Sequence, residues 1–556
     1  MSTYLSYRDP LVTGRSVTVG RNGMICSASP LAGQAGMHIL KQGGNIFDAA
    51  VAVAAAEDVT LPCMCTLGGE LFALVYQAST GKLFGITGSG KSPQAVNREF
   101  YIDKGFNRVP RDGALAANLP GEVDALWTIR NRFGSGKFSF AQLLEPAIEY
   151  AEVGYPLPQQ LSRFFGEEAE GMLRYPNTAR IFLNEGESYK PGQVLVQKDL
   201  AKTLRRVAEG GTEEFYKGEL GKEFIKAFQE GGSLYTMEDM AAHETIVYED
   251  PISTTYRGNN IFETRFPSQG ALVLMALNIL EGFDVAGMEI NSPDYVHLMV
   301  EAKKLVYADR ARYFGDPNFI DVPLETLLSK AYADERRGLI NMKRANDSPS
   351  SGTVPEVAGT EGNTSFTCMT DSEGNVVSLI HSVFGHFGSH FVAGDTGILL
   401  NNRAMGFSLE EGHPNCIMPG KLPIHTLNCF MVFQNGKPYL TGGTPGGNTQ
   451  PQWNMQTLNR VLDFGLEVQE AIETPRFFLA DRGERGNTDY AFQIQMEQPL
   501  LEGESLVKEL ESRGHVTGPY GHNVRQGCTQ LIMIDQDSGV IMGGSDPRED
   551  GAAVGY

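Results

Sequence analysis

The bond between Asn363 and Thr364 is the feature that most constrains how this chain can be arranged. Upstream runs a polar, breaker-rich stretch, from Asn346-Asp347-Ser348-Pro349-Ser350-Ser351-Gly352 to Gly359-Thr360-Glu361-Gly362. Such a run cannot pack a core and reads as an exposed loop. At Thr364 the pattern changes abruptly. Residues 365–369 are β-prone, 371–375 (Asp-Ser-Glu-Gly-Asn) form a turn, and 376–380 are a second strand. The pattern predicts a hairpin whose first strand opens with a threonine. If the chain is cut just before Thr364, an α-amino group is freed. Its pKa near ~8 leaves it partly neutral at pH 7, able to serve as base for the hydroxyl of the same residue. The competing reading, which local sequence alone favours, is an ordinary strand-start threonine.

Composition narrows the partners. The 556 residues carry 46 Lys and Arg against 67 Asp and Glu, a formal charge of −21. That balance argues against a nucleic-acid partner and against docking on anionic membranes. Residues 1–16 hold no apolar core of a signal peptide, and the most apolar run, 49–56, is too short to span a bilayer. The expectation is a cytoplasmic protein. Its seven cysteines are odd in number and irregularly spaced, which suits reduced thiols. Cys63-x-Cys65 lacks a second pair at zinc spacing. His381, His386, His390 and Asp395 were weighed as metal ligands. H-x4-H-x3-H is not a standard zinc spacing, so no metal and no cofactor is expected.

Along the chain, strand character around Met24-Ile25-Cys26 precedes Gly43-Gly44-Asn45 and an alanine-rich helix over 48–59. Leu67-Gly68-Gly69-Glu70 then leads into a strand over 71–76, the glycines marking close backbone approach. Residues 77–130 read as turns and short strands. Helical patterns follow over 140–152, 200–209, 220–230, 237–243 and 268–280, with a strand region at 252–262. Ser292-Pro293-Asp294 starts a helix that runs to about 313. After the hairpin come helices over 452–461, 469–475 and 505–512 and strands near 492–497 and 528–534. No repeat of 20–50 residues is present.

These pieces resemble the γ-glutamyltranspeptidase superfamily of N-terminal-nucleophile hydrolases nearly end to end. The matching motifs include Gly43-Gly44-Asn45-x-x-Asp48-Ala49-Ala50, Leu67-Gly68-Gly69, Glu301-Ala302-x-Lys304-Leu305-x-x-Ala308-Asp309-Arg310 and Gly315-Asp316-Pro317. They continue through Thr364–Asp371, Gly374-Asn375, Asn401-Asn402, Pro445-Gly446-Gly447 and the ending Gly544-Ser545-Asp546-Pro547-Arg548 to Tyr556. The resemblance implies an α+β fold, a four-layer αββα sandwich with a helical lobe in the large chain. It implies a precursor that cuts itself into a large chain, 1–363 (with a flexible linker over 340–363), and a small chain, 364–556, which stay together as a heterodimer. Thr364 would be the nucleophile. Gly446 and Gly447 would give backbone N–H groups to the oxyanion, and Ser382 falls where a second hydroxyl contacts the nucleophile.

Departures from the family pattern bear on substrate. The position of an arginine that grips an α-carboxylate is Ser89, with Lys91 close by. The acid that receives an α-amino group falls at Gly406. A neighbouring glutamine becomes Arg403, next to Asn402. A pocket asparagine becomes Phe384, two adjacent serines become His425 and Thr426, and a histidine two residues past the nucleophile becomes Phe366. The groups that read a γ-glutamyl zwitterion are mostly missing. Arg403 and Lys91 favour an acyl group with a carboxylate and no amine, with a salt bridge or loop anchor as the competing role for Arg403. The short segment 412–421 suggests a reduced lid and hydrolysis over transfer. This resembles the branch with cephalosporin acylases and oxamate amidohydrolase. The expected function is an autocatalytic threonine amidohydrolase acting on dicarboxylic half-amides. The alternatives are a γ-glutamyl transferase or hydrolase and a non-catalytic scaffold.

Overall fold

The computed structural model describes residues 14–349, 364–482, 487, 489–520 and 527–556. Asn363, and with it one side of the expected cut, lies outside the described residues.

Two antiparallel sheets form the centre. The first has the strand order Ala552–Gly555, Gly23–Ser27, Ser365–Asp371, Val376–Ser382, Glu70–Gln77, Lys82–Gly88, Ile246–Tyr248. The second runs Thr18–Gly20, Ile541–Ser545, Gln530–Ile534, Lys437–Gly443, Phe430–Gln434, Asn259–Glu263, Ile252–Tyr256. Side chains alternate along each strand, so one set from each sheet faces inward. Met24, Cys26, Phe72, Leu74, Phe366 and Ile380 of the first sheet meet Met431, Phe433, Ile532 and Ile541 of the second in a shared core.

The other faces are covered by helices. Ile46–Thr60 is buried along its whole length and packs with Pro30–Lys41, Glu122–Phe133 and Phe140–Val153 against Leu71, Ala73, Met369 and Leu379. Its alanines let the backbone lie close to the sheet, and Asn45 and Asp48 close a capping box at its start. Ala271–Leu280, Pro293–Tyr313 and Gln450–Leu462 cover the second sheet in the same way. The result is a mixed α+β architecture with the sheets inside and helices outside. No helix among the described residues is long and apolar enough to cross a membrane.

The helix Glu122–Phe133 lies inside the stretch read as turns and short strands. Its acidic first turn and basic last turn are a helix signal, which the flanking Gly and Pro residues obscured. The linker also needs correction. Asn346 N–H donates to the Glu301 carboxylate (3.2 Å), Lys304 Nζ donates to Asn346 O (2.9 Å), and Ala345 N–H donates to Arg513 O (2.7 Å). Residues 345–346 are therefore tied down.

Candidate active site

Thr364 and Ser382 face each other at the end of the predicted hairpin. Ser365 pairs with His381, so Thr364 comes opposite Ser382, and Ser382 pairs in turn with Glu70. Leu71 opposite Gly88 extends the same row to Ser89. Four strands thus place Thr364, Ser382, Glu70 and Ser89 side by side on the inward face. Thr364 Oγ1 donates to Ser382 Oγ at 3.2 Å, and Ser382 Oγ accepts the Phe384 N–H at 2.7 Å. Gly69 makes the row possible: a Cβ there would come within 2.7 Å of Ser382 O. Thr364 is 1% exposed in the uncut chain.

Gly446 has φ +137° and Gly447 φ +56°. A side chain at Gly446 would also meet Trp453 at 2.4 Å. The turn is held from behind. Thr449 Oγ1 donates to Gly446 O (2.6 Å), and Gln269 Nε2 donates to both Gly447 O (3.0 Å) and Thr426 O (2.9 Å). Tyr307 Oη donates to Asn448 O, and Arg310 Nη1 donates to Asn448 Oδ1 (2.9 Å). Sequence reasoning missed Gln269, Tyr307 and Arg310 as supports of this turn. The last two stand three apart on one helical face, Arg310 at the end of the matched helix motif and Tyr307 at one of its open positions.

Glu70 is the other residue missed, and it organises the pocket side. Its Oε1 accepts from Ser89 Oγ (2.8 Å), and its Oε2 accepts from Arg403 Nε (2.8 Å) and His425 Nε2 (2.6 Å). All three charged or ring side chains are fully buried. Burial alone would raise the Glu70 carboxyl, but the His425 and Arg403 contacts and the Ser89 hydroxyl hold it below the usual carboxylate range. Burial draws the Arg403 guanidinium down to about 10 against the pull of Glu70. Arg403 stacks 4.0 Å from the Phe384 ring centroid and reaches Thr426 Oγ1 (3.3 Å). Its Nη2 has no hydrogen-bond partner among the described residues. The salt bridge weighed as the competing role for Arg403 is the one the structure displays.

Phe384, at φ +78°, and Thr426 line a cavity of about 360 Å³ with Arg108, Arg310, Phe314 and Met405. Gly406 and His413 also line it, so the segment read as a short lid forms part of its wall. Asn402 serves the backbone: Oδ1 accepts the Gly385 N–H (2.8 Å) and Nδ2 donates to Arg111 O (3.2 Å). Lys91 is not brought to this group. It is exposed and lines a different cavity with Ser89, Tyr235 and His243.

The three histidines weighed as one metal set are dispersed. His386 packs edge-on to Phe164, and His390 bonds Asp112 (3.1 Å) and Glu168 (3.0 Å). Asp395 is 97% exposed. All seven cysteines are free and buried.

Two expected outcomes arise here. Ser382→Ala should lower kcat about 10–100-fold with KM little changed; an unaltered kcat would remove Ser382 from the reaction. His425 is lowered to about 4 by burial, with the Arg403 charge adding to it. Unfolded, it would take up a proton near pH ~6.5. Its contribution is therefore present above that pH and is lost as pH falls towards about 4. His425→Gln should flatten the fall of Tm across this window, measured by calorimetry.

A threonine hydroxyl beside a second hydroxyl, a left-handed glycine turn and two packed sheets suit an enzyme that cleaves amides with a hydroxyl nucleophile. Residues 32–556 match the family described as Gamma-glutamyltranspeptidase. The chain is 38% identical over 543 residues to the glutathione hydrolase-like YwrD proenzyme of Bacillus subtilis (strain 168), covering 97% of this chain and 99% of that one. It is 32% identical over 548 residues to the acylase ACY 1 proenzyme of Pseudomonas sp. (strain SE83), covering 96% and 94%. The crystal structure of cephalosporin acylase from Bacillus halodurans superposes with a TM-score of 0.90 at 34% identity, over 100% of this chain and 99% of that one. The chain belongs to the γ-glutamyltranspeptidase family and is an amidohydrolase of the N-terminal-nucleophile type.

Proposed function

We propose that the chain cuts itself before Thr364 and that the freed Thr364 hydrolyses a small carboxylate-bearing amide through an acyl-enzyme. In this reading the α-amine of Thr364 takes the proton from Oγ1 as Oγ1 attacks the amide carbonyl. The N–H groups of the Gly446–Gly447 turn receive the oxyanion, and Ser382 orients the hydroxyl. The amine leaves with the proton, and water then opens the ester. The products of maturation, 1–363 and 364–556, remain together.

The observation that carries the substrate class is Arg403. It is a buried cation paired with Glu70, which is shared with His425 and Ser89, and its Nη2 has no hydrogen-bond partner among the described residues. A carboxylate on the acyl group would meet that donor. Arg108 and Arg310 in the neighbouring cavity favour the same charge. The γ-glutamyl reading has support from the relative named as glutathione hydrolase-like. It requires an acid for the substrate ammonium; both oxygens of Glu70 are already engaged, and Glu410 is the acid that lines the neighbouring cavity. Release of amine from glutaryl and oxalyl half-amides, measured beside γ-glutamyl-anilide, separates the two. The half-amides should turn over at least about 10-fold faster by kcat/KM. A faster γ-glutamyl rate would overturn the substrate assignment.

A further inference from the structure

On the helix side of the same two strands lies a second cluster that the reaction does not use. His381, next to Ser382, points away from Thr364 into a group of acids, all fully buried: Glu57, Asp58 and Glu122. Glu57 is satisfied. It accepts from Ser27 Oγ (2.6 Å), Thr367 Oγ1 (2.7 Å) and His381 Nε2 (2.8 Å). Asp58 is not: neither oxygen has a hydrogen-bond partner among the described residues, and Glu122 Oε2 also has none. Buried carboxylate oxygens without partners are costly and call for a proton, a water or an ion.

The geometry around His381 discriminates among these. His381 Nε2 bonds Glu57 Oε2 at 2.8 Å, and Nδ1 lies 3.5 Å from Asp58 Oδ1 and 3.1 Å from Glu122 Oε1, where an ion would take the Nδ1 lone pair. Ligand atoms of Asp58, Cys65 and His381 all lie within 4.8 Å of one another. Four ligands at zinc bond lengths in a tetrahedron stand about 3.3–3.6 Å apart. A carboxylate on the far nitrogen of a ligating histidine is the usual outer support of such a site. We propose that Asp58, Cys65 and His381 Nδ1 hold a divalent ion of the zinc type. The mixed N, O and S donors suit that ion better than Mg²⁺ or Ca²⁺.

The ligands come from both sides of Thr364: the end of the helix Ile46–Thr60, the loop after it, and the strand Val376–Ser382. The ion would staple the two segments behind the nucleophile. Because the cluster is sealed, it would be loaded during folding. A second candidate group, His297, Glu301 and His515, needs no ion. His297 bonds His515 (2.7 Å) and Asn341 O (3.0 Å), and Glu301 is met by Lys304 (2.7 Å) and Asn346.

The test is elemental analysis of the full-length protein, grown with added zinc and purified without chelator or a metal-affinity step. About one equivalent of zinc is expected, retained in Thr364→Ala and lost in Asp58→Asn and His381→Gln. In protein grown with Co²⁺, the thiolate-to-metal absorption band should disappear in Cys65→Ser while far-UV circular dichroism is unchanged. Folded wild-type protein without stoichiometric metal would overturn the proposal and leave protons or water as the filling of the cluster. Metal that persists in all three ligand variants would overturn it too.

Discussion

Replacing Thr364 by alanine should leave one uncut chain of 60.7 kDa and abolish turnover. The wild-type protein should instead give two fragments under denaturing mass spectrometry, the smaller beginning at Thr364. Both effects trace to one atom. Oγ1 is the only hydroxyl that can attack the carbonyl just before it and, once freed, be served by its own amine. Loss of a nucleophile costs at least about 10⁴-fold in kcat where other binding groups remain. Thr364→Ser keeps the hydroxyl and should still cut, more slowly. Cutting in Thr364→Ala would show that another residue does the work. A wild-type chain that stays whole would return the protein to a scaffold role.

Breaking the Glu70–Arg403 pair should be the most damaging change that leaves Thr364 in place. Both side chains are fully buried, so Glu70→Gln strands an uncompensated guanidinium. Removing one member of such a pair typically costs about 3–5 kcal/mol, far more than the pair contributes over an apolar replacement. Arg403→Met should destabilise similarly and lower kcat/KM for carboxylate-bearing amides about 100-fold. The double variant Glu70→Gln/Arg403→Met should recover part of the stability and none of that selectivity. Chemical denaturation of the four proteins forms the cycle. Additive losses would mean the two residues act independently, contrary to the 2.8 Å contact.

The hairpin, the buried alanine-rich helix and the Ser292-capped helix were legible because period, caps and turns agreed locally. Thr364 and Ser382 were legible only through motif order, and the structure brings them within hydrogen-bond distance. Glu70 was in plain view after Gly68-Gly69 but carried no local sign of its partners, which lie 333 and 355 positions away. The same limit applied to His381. Three histidines within ten positions invited a metal set, yet His381 lies on the strand Val376–Ser382 and the left-handed residues Phe384, Phe387 and His390 turn the chain beyond it, sending the three to separate surroundings. Arg403 illustrates the reverse: a salt bridge was one of the two roles its charge suggested, while the acid that makes it was invisible until the sheet register set Glu70 beside Ser382.

The interleaved sheets have a consequence for the lifetime of the enzyme. Both sheets combine strands from either side of Thr364, and the strand Ser365–Asp371 lies between Gly23–Ser27 and Val376–Ser382. As one polymer, the chain assembles these strands by a first-order process that dilution does not affect. A cut before Thr364 makes every later recovery second-order, because two unfolded pieces must first collide. Maturation would act as a one-way step, after which the enzyme persists through a slow rate of unfolding and not through its capacity to refold.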